Sequence, residues 1–357
     1  MQHQDIDISY KIQVPRNKQA TMKRKSVKKL LVFRIRNPFV ICFLFLGLLF
    51  FSSRVVNAQQ LSLSINPPLL ELTIKPGKTV LIAYTVGNYG DPTALRARVL
   101  PFRAKDNQGN IVIEEEFSGP IRFSLDNADI QMDEPFFAKT RSTNQLLLRI
   151  RVPEGAPDGD YYYTFLTESQ PPPGVEGTTS SQARGSIGSN ILITVTNSGR
   201  VDIKGQVSTF DTLKGFLFNF FGNKLKIFDS ADKIPVVLEV ENLGKNVIKP
   251  SGEITLKGNL GEQAKYSILE QNILAESKRI LTATPSADIP DSIHQPVTLV
   301  LSGFFIGTYK LSTNISFGEG APNIFAQTSF IALPLKFIFG FIIVLFLVLY
   351  VIKKLKK

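Results

Sequence analysis

From Gln60 onward apolar and polar side chains alternate with a period of two. Leu61, Leu63 and Ile65 are separated by Ser62 and Ser64, and Leu70, Leu72 and Ile74 by Glu71 and Thr73. Leu95, Ala97 and Val99 alternate with Arg96 and Arg98, and Leu146, Leu148, Ile150 and Val152 with intervening residues that include Arg149 and Arg151. Such a chain buries one face only when it is extended, and extended backbone must find partners for its N–H and C=O groups. Pro76-Gly77, Asn88-Tyr89-Gly90-Asp91 and Asn107-Gln108-Gly109-Asn110 punctuate the runs as turns. Short alternating runs between turns predict half-buried antiparallel sheets packed as a sandwich, an all-β fold.

The pattern occurs in two sets. The first closes with Ile191–Val195, and the boundary falls near Asn197-Ser198-Gly199-Arg200, giving one domain over residues 59–199. The second, residues 200–330, contains Val236–Val240, Ile254–Leu256, Val297–Leu301, Tyr309–Ile315 and Ala326–Ile331. Residues 169–190 are poor in apolar side chains and rich in Pro, Gly, Ser and Thr. They read as a long hairpin loop, with a domain boundary as the alternative.

The ends of the chain are different in kind. Pro38–Phe51 is apolar and follows a basic stretch, with Val56-Asn57-Ala58 downstream. This is the pattern of a signal peptide over residues 1–58, cut before Gln59, with Met22 as an alternative start and an uncleaved anchor as the alternative reading. The sole cysteine, Cys42, lies in that apolar run, so no disulfide supports the exported region. Phe337–Ile352 carries no charge and ends at Lys353-Lys354-Leu355-Lys356-Lys357. A transmembrane helix over 331–352 with a cytoplasmic basic tail at 353–357 follows from the positive-inside rule, and the two domains are then extracellular. These ends carry the basic charge: of the net +11, residues 59–335 hold −3. A nucleic-acid interface is excluded as an expectation, because it needs concentrated Lys and Arg.

Chemistry-bearing residues are few. His294 is the one histidine of the exported region, so a Ser-His-Asp arrangement would depend on it, and the expectation is a protein that is not an enzyme. A carboxylate pair for glycosidic cleavage would have to assemble in space. Asp158-Gly159-Asp160, and the cluster Asp126, Asp129, Asp133 and Glu134, read as turns and solvated loops, with calcium as the alternative. Glu114-Glu115-Glu116 reads as a strand end meeting water. No catalytic residue, metal ligand or cofactor is assigned.

The stretch Phe210–Phe228 stands apart. Leu213, Phe216, Leu217, Phe220 and Phe221 recur at helical spacing inside an otherwise β chain. The spacing predicts a helix, or a bent strand, packed on its own domain. The functional reading is an apolar patch for a partner or the bilayer surface, with Phe216, Phe218, Phe220 and Phe221 as contact residues. Phe218 lies off the helical stripe and is therefore expected to be the exposed one.

Several segments resemble the WxL-interacting cell-surface proteins. In the first domain they are Lys75-Pro76-Gly77-Lys78, Val86-Gly87-Asn88 and Val152–Tyr162; in the second, Glu241-Asn242-Leu243-Gly244, Lys249–Ile254 and Ile306-Gly307-Thr308-Tyr309. The resemblance implies two tandem immunoglobulin-like β-sandwich domains on one C-terminal membrane helix. It implies a bacterial surface adhesion or scaffold protein whose first domain contacts cell-wall glycan (peptidoglycan binding) and whose second contacts a protein partner. The lipid bilayer is engaged through the C-terminal helix. An assembly factor that uses an open sheet edge is the alternative, and a wall-active hydrolase a further one. An unpaired apolar edge would favour the assembly factor, and a carboxylate pair in a pocket the hydrolase.

Overall fold

A computed structural model describes residues 60–170, 185–220, 223–318 and 321–355. The leader and Cys42 lie outside these. The regular elements of the described chain are β-strands followed by one closing helix.

The first sandwich is formed by ten strands: β1 (Leu63–Asn66), β2 (Leu69–Ile74), β3 (Thr79–Asn88), β4 (Thr93–Ala104), β5 (Ile111–Ile113), β6 (Arg122–Leu125), β7 (Pro135–Ala138), β8 (Ser142–Arg151), β9 (Gly159–Gln170) and β10 (Ser186–Val195). One sheet runs β1-β3-β8-β6, and the other β2-β10-β9-β4-β5, with β7 also on β4. These are the ABED and GFC arrangements of an immunoglobulin-like sandwich, the first strand switching sheets so that β2 lies parallel to β10. Strands β9 and β10 pair antiparallel from Glu168↔Ser186 onward. Residues 171–184 between them, the centre of the segment that reads as a long hairpin loop, lie outside the described residues. The core is the inward set that alternation marks: Tyr84, Val86, Leu95, Ala97, Leu146, Leu148, Ile150, Phe165, Ile191 and Ile193 are buried.

The second sandwich contains β11 (Gly205–Thr212), β12 (Phe216–Phe220), β13 (Asn223–Asp229), β14 (Ile234–Asn242), β15 (Ser251–Gly258), β16 (Gln263–Ile268), β17 (Lys278–Ile280), β18 (Ala283–Thr284), β19 (Leu299–Leu301), β20 (Gly307–Ser316) and β21 (Ile324–Leu333). One sheet is β11-β14-β17, with β19 also on β14; the other is β12-β13-β21-β20-β15-β16-β18. Here β13 lies parallel to β21, as β2 does to β10. Phe228, Val236, Leu238, Leu256, Leu311 and Phe330 are among the residues of a separate core.

Two buried asparagines show the repeat at atomic level. Asn88 donates through Nδ2 to the carbonyls of Asp91 and Ala138, and its Oδ1 accepts from Gly90 N–H. Asn242 donates to the carbonyls of Asn246, Ile273 and Leu274, and its Oδ1 accepts from Gly244 N–H. Each closes the turn after the equivalent strand, and each supplies the acceptor for a buried glycine N–H. A Cβ at Gly90 would stand 2.1 Å from the Gln60 carbonyl oxygen, and one at Gly244 2.2 Å from that of Asp202. Both turns need glycine because the incoming first strand passes against them.

The last strand runs almost directly into helix α1 (Leu335–Leu355), with Pro334 alone between them. The sequence placed the start of the membrane segment at residue 331, but 331–333 belong to β21 and pair with β13 and β20. Backbone pairing into the sheet wins there, and proline at the helix entrance sets the break because it has no N–H to lose. The helix rises about 31 Å, close to a hydrocarbon core of about 30 Å. It is long and apolar enough to cross a membrane.

Candidate partner-binding edge

The aromatic stretch forms a hairpin, not a helix. Strand β12 pairs antiparallel with β13 in the register Phe216↔Ile227, Leu217↔Lys226 and Phe218↔Leu225. The helical spacing of the apolar residues was a coincidence of two periods, since Phe216, Phe218 and Phe220 also recur every second residue. Phenylalanine and isoleucine favour strands, and β21 offers β13 a backbone ladder that a helix could not use. Lys214, at φ +64°, turns the chain out of β11 into the hairpin. Lys226 anchors it to the opposite sheet through an ion pair with Asp211 at 2.5 Å and a hydrogen bond to the Thr212 carbonyl.

Phe228 is buried in the core, so Lys226 shares its inward face, and Leu225 and Ile227 face outward. Phe216 and Phe218, paired with Ile227 and Leu225, lie on the outward face. They are 73% and 52% exposed, and Leu217 on the other face is 68% exposed. The expectation that Phe218 alone would differ from a Phe216 stripe is thus corrected: the two share one face. The side chain of Phe220, and Phe221 entirely, lie outside the described residues. Strand β12 is terminal in its sheet, and no described strand lies beyond it. Natural edges are usually blunted by charge, proline or shortness, whereas this one presents apolar side chains on both faces.

The other candidates are placed as follows. Asp158 accepts from Asn197 Nδ2 at 2.7 Å. Asp160 accepts from Asn246 Nδ2 at 2.7 Å and from Val247 N–H, so it joins the two sandwiches. Asp126 pairs with Arg149 at 2.6 Å and Asp133 with Arg98 at 3.1 Å, all on the surface. Asp129, Glu134, Glu115, Glu116 and His294 are exposed, and Glu114 is half-buried.

Sequence reasoning missed the junction between the sandwiches, because its partners lie far apart in the chain. Glu71 accepts from Asn272 at 2.6 Å and pairs with Lys249 at 3.1 Å. These partners hold its carboxyl below the usual range, the Asn272 hydrogen bond having the largest effect. Asn107 donates to Glu239 at 2.6 Å, and its carbonyl accepts from Ile280 N–H at 2.7 Å. Tyr162 Oη accepts from Ala275 N–H at 2.9 Å, and burial pushes its pKa up. Beside these contacts lies a cleft of about 360 Å³, lined among others by Leu69, Phe102, Ile111, Leu192, Lys249 and Arg279. Arg279 donates to the Asn272 carbonyl at 2.7 Å. Its guanidinium lies over Gly109, where a Cβ would approach Cζ to 2.4 Å. Asp106, at the cleft, is tied into its own turn by Asn110 and Gln108, which lower its pKa, the opposite of what a general acid needs.

No protein-family profile matches the sequence, and no curated protein matches it. Solved structures with similar chain traces include several chaperones. The class 5 fimbriae chaperone CfaA is 12% identical with a TM-score of 0.36, covering 75% of this chain and 99% of its own. The E. coli chaperone DraB is 13% identical with a TM-score of 0.33, covering 75% and 98%. The CsuC–CsuE chaperone–tip adhesion subunit complex of Acinetobacter baumannii gives 13%, 0.32, 76% and 99%. At these values they say nothing about what this chain binds; the immunoglobulin-like fold rests on its own strand order.

Proposed function

We propose that this is a membrane-anchored, non-enzymatic surface protein that binds an extended polypeptide segment by strand addition along β12. The observation that carries the reading is the terminal position of β12 together with its exposed Phe216, Leu217 and Phe218. An incoming strand would gain main-chain hydrogen bonds from the edge, and its alternate side chains would cover the phenylalanines. This favours the assembly-factor alternative over a glycan-binding scaffold; contact of the first sandwich with cell-wall glycan rests on the family resemblance alone. In this reading α1 spans the bilayer, the sandwiches are extracellular, and Lys353 and Lys354 lie on the cytoplasmic side.

The test is hydrogen–deuterium exchange on the full chain in lipid nanodiscs, with and without a synthetic strand peptide of alternating valine and threonine. Binding at the edge slows exchange of the β12 amides and spares those of β6. Phe218→Lys, which puts a charge on the same face, abolishes the protection. Unchanged exchange in β12 at saturating peptide overturns the reading.

A further inference from the structure

We infer that the helix-proximal end of the second sandwich is itself a lipid-contact surface, with Phe304, Ile306 and Leu260 seated among the headgroups. The inference rests on the reading of α1 as a membrane span.

The first ground is the absence of a linker. Strand β21 ends at Leu333 and α1 begins at Leu335. Asp229, at the end of β13, accepts the Lys336 N–H at 2.9 Å, and Lys336 Nζ pairs with Asp232 at 2.7 Å. The helix entrance is therefore fixed to the sandwich. A helix of about 31 Å has little length to spare across a core of about 30 Å, so its first turn must lie at the interface.

The second ground is what the register places at that level. Gly307 stands opposite Ala332, so the loop just before β20 lies beside the helix start. Gly258 stands opposite Tyr309, and Asn259 N–H bonds to the Thr308 carbonyl, which brings the turn carrying Leu260 to the same end.

The third ground is side-chain direction. Phe305 is buried and its N–H bonds to the Ser230 carbonyl, while its neighbours Phe304 and Ile306 are 58% and 42% exposed. Leu260 is 70% exposed. The Phe304 ring meets that of Phe337, in the first turns of the helix, edge-on at 6.5 Å. Two separate connections thus present apolar tips beside one end of a helix that itself requires lipid. Water is an unfavourable neighbour for such a cluster, and the bilayer surface is the continuous apolar partner.

The sequence contains no tryptophan, so a single substitution installs the only indole. Full-length Phe304→Trp, Phe346→Trp and Phe325→Trp would be placed in phosphatidylcholine nanodiscs, with and without lipid brominated either near the headgroup end or near the methyl end of one acyl chain, the latter to reach Phe346→Trp at the middle of the span. Phe325 is exposed and lies eight strand residues above Leu333, about 26 Å away. Phe304→Trp is expected to emit to the blue and to lose emission in brominated lipid, while Phe325→Trp does neither. Ile306→Trp repeats the measurement should Phe304→Trp fold poorly. Quenching at Phe346→Trp without quenching at Phe304→Trp and Ile306→Trp overturns the seating and leaves the span intact. No quenching at Phe346→Trp overturns the span, and the seating with it. A Phe304→Trp indole shielded from aqueous quencher but insensitive to bromine means that protein covers the surface, which also overturns the inference.

Discussion

Asp229 Oδ2 accepts the backbone N–H of Lys336 at 2.9 Å, so a residue of β13 caps a helix that begins 106 positions further on. The same carboxylate accepts from Ala231 N–H and faces Lys336 Nζ at 3.5 Å, and these partners hold its pKa below the usual range, the Lys336 backbone hydrogen bond first. A cap normally comes from the residue just before the helix. Here that neighbourhood is a strand and a proline, and the sheet supplies the oxygen from β13. Asp229→Ala should accelerate amide exchange in the first turn of α1 and leave its middle unaffected. Equal exchange in wild type and variant would show that the cap contributes nothing.

The paired asparagines give a symmetrical prediction. Asn88→Ala and Asn242→Ala each leave a buried glycine N–H without its acceptor, at a cost of about 1–3 kcal/mol per site. Denaturant titration of the chain should register both losses. A surface asparagine would give a change under about 0.5 kcal/mol.

The aromatic residues of the second sandwich divide by face. Phe330 is 1% exposed and stacks on Tyr309 at 5.3 Å. Phe330→Ala should cost about 3–5 kcal/mol. Phe216→Ala, on the exposed edge, should cost under about 0.5 kcal/mol. A large loss of stability at Phe216 would mean that the edge is a core element, and would remove the ground for strand addition.

The junction should be acid-sensitive. Glu71 is held below its ordinary pKa of 4.5, chiefly by Asn272 and also by Lys249. A carboxyl depressed in the folded state contributes stability that is fully present above its unfolded pKa and is lost as pH falls through the folded value. Glu239, lowered by Ser208 and Asn107, acts with the same sign. Fluorescence transfer between dyes on the two sandwiches should hold steady above about pH 5 and fall below about pH 4. Glu71→Gln should flatten part of that change. A junction unaffected by acid would remove these carboxylates from its stabilisation.

The sequence by itself determined what local pattern can determine. Alternation such as Leu146, Leu148 and Ile150 names the inward face of a strand before any partner is known, because the side-chain period of extended chain is two. Sixteen uncharged residues followed by lysines mark a helix long and apolar enough to cross a membrane. Pairing is another matter. That β2 lies beside β10, that Glu71 meets Asn272 and that Asp229 caps α1 are contacts between residues distant in the chain, and no local spacing encodes them. The stretch after Phe210 shows the limit most clearly. Its apolar residues satisfied helical and strand periods at once, and only the vacant edge of β21, open to a parallel partner, decided for a strand. Pairing there leaves β12 outermost among the described strands of its sheet, and so makes the feature on which the proposed function rests.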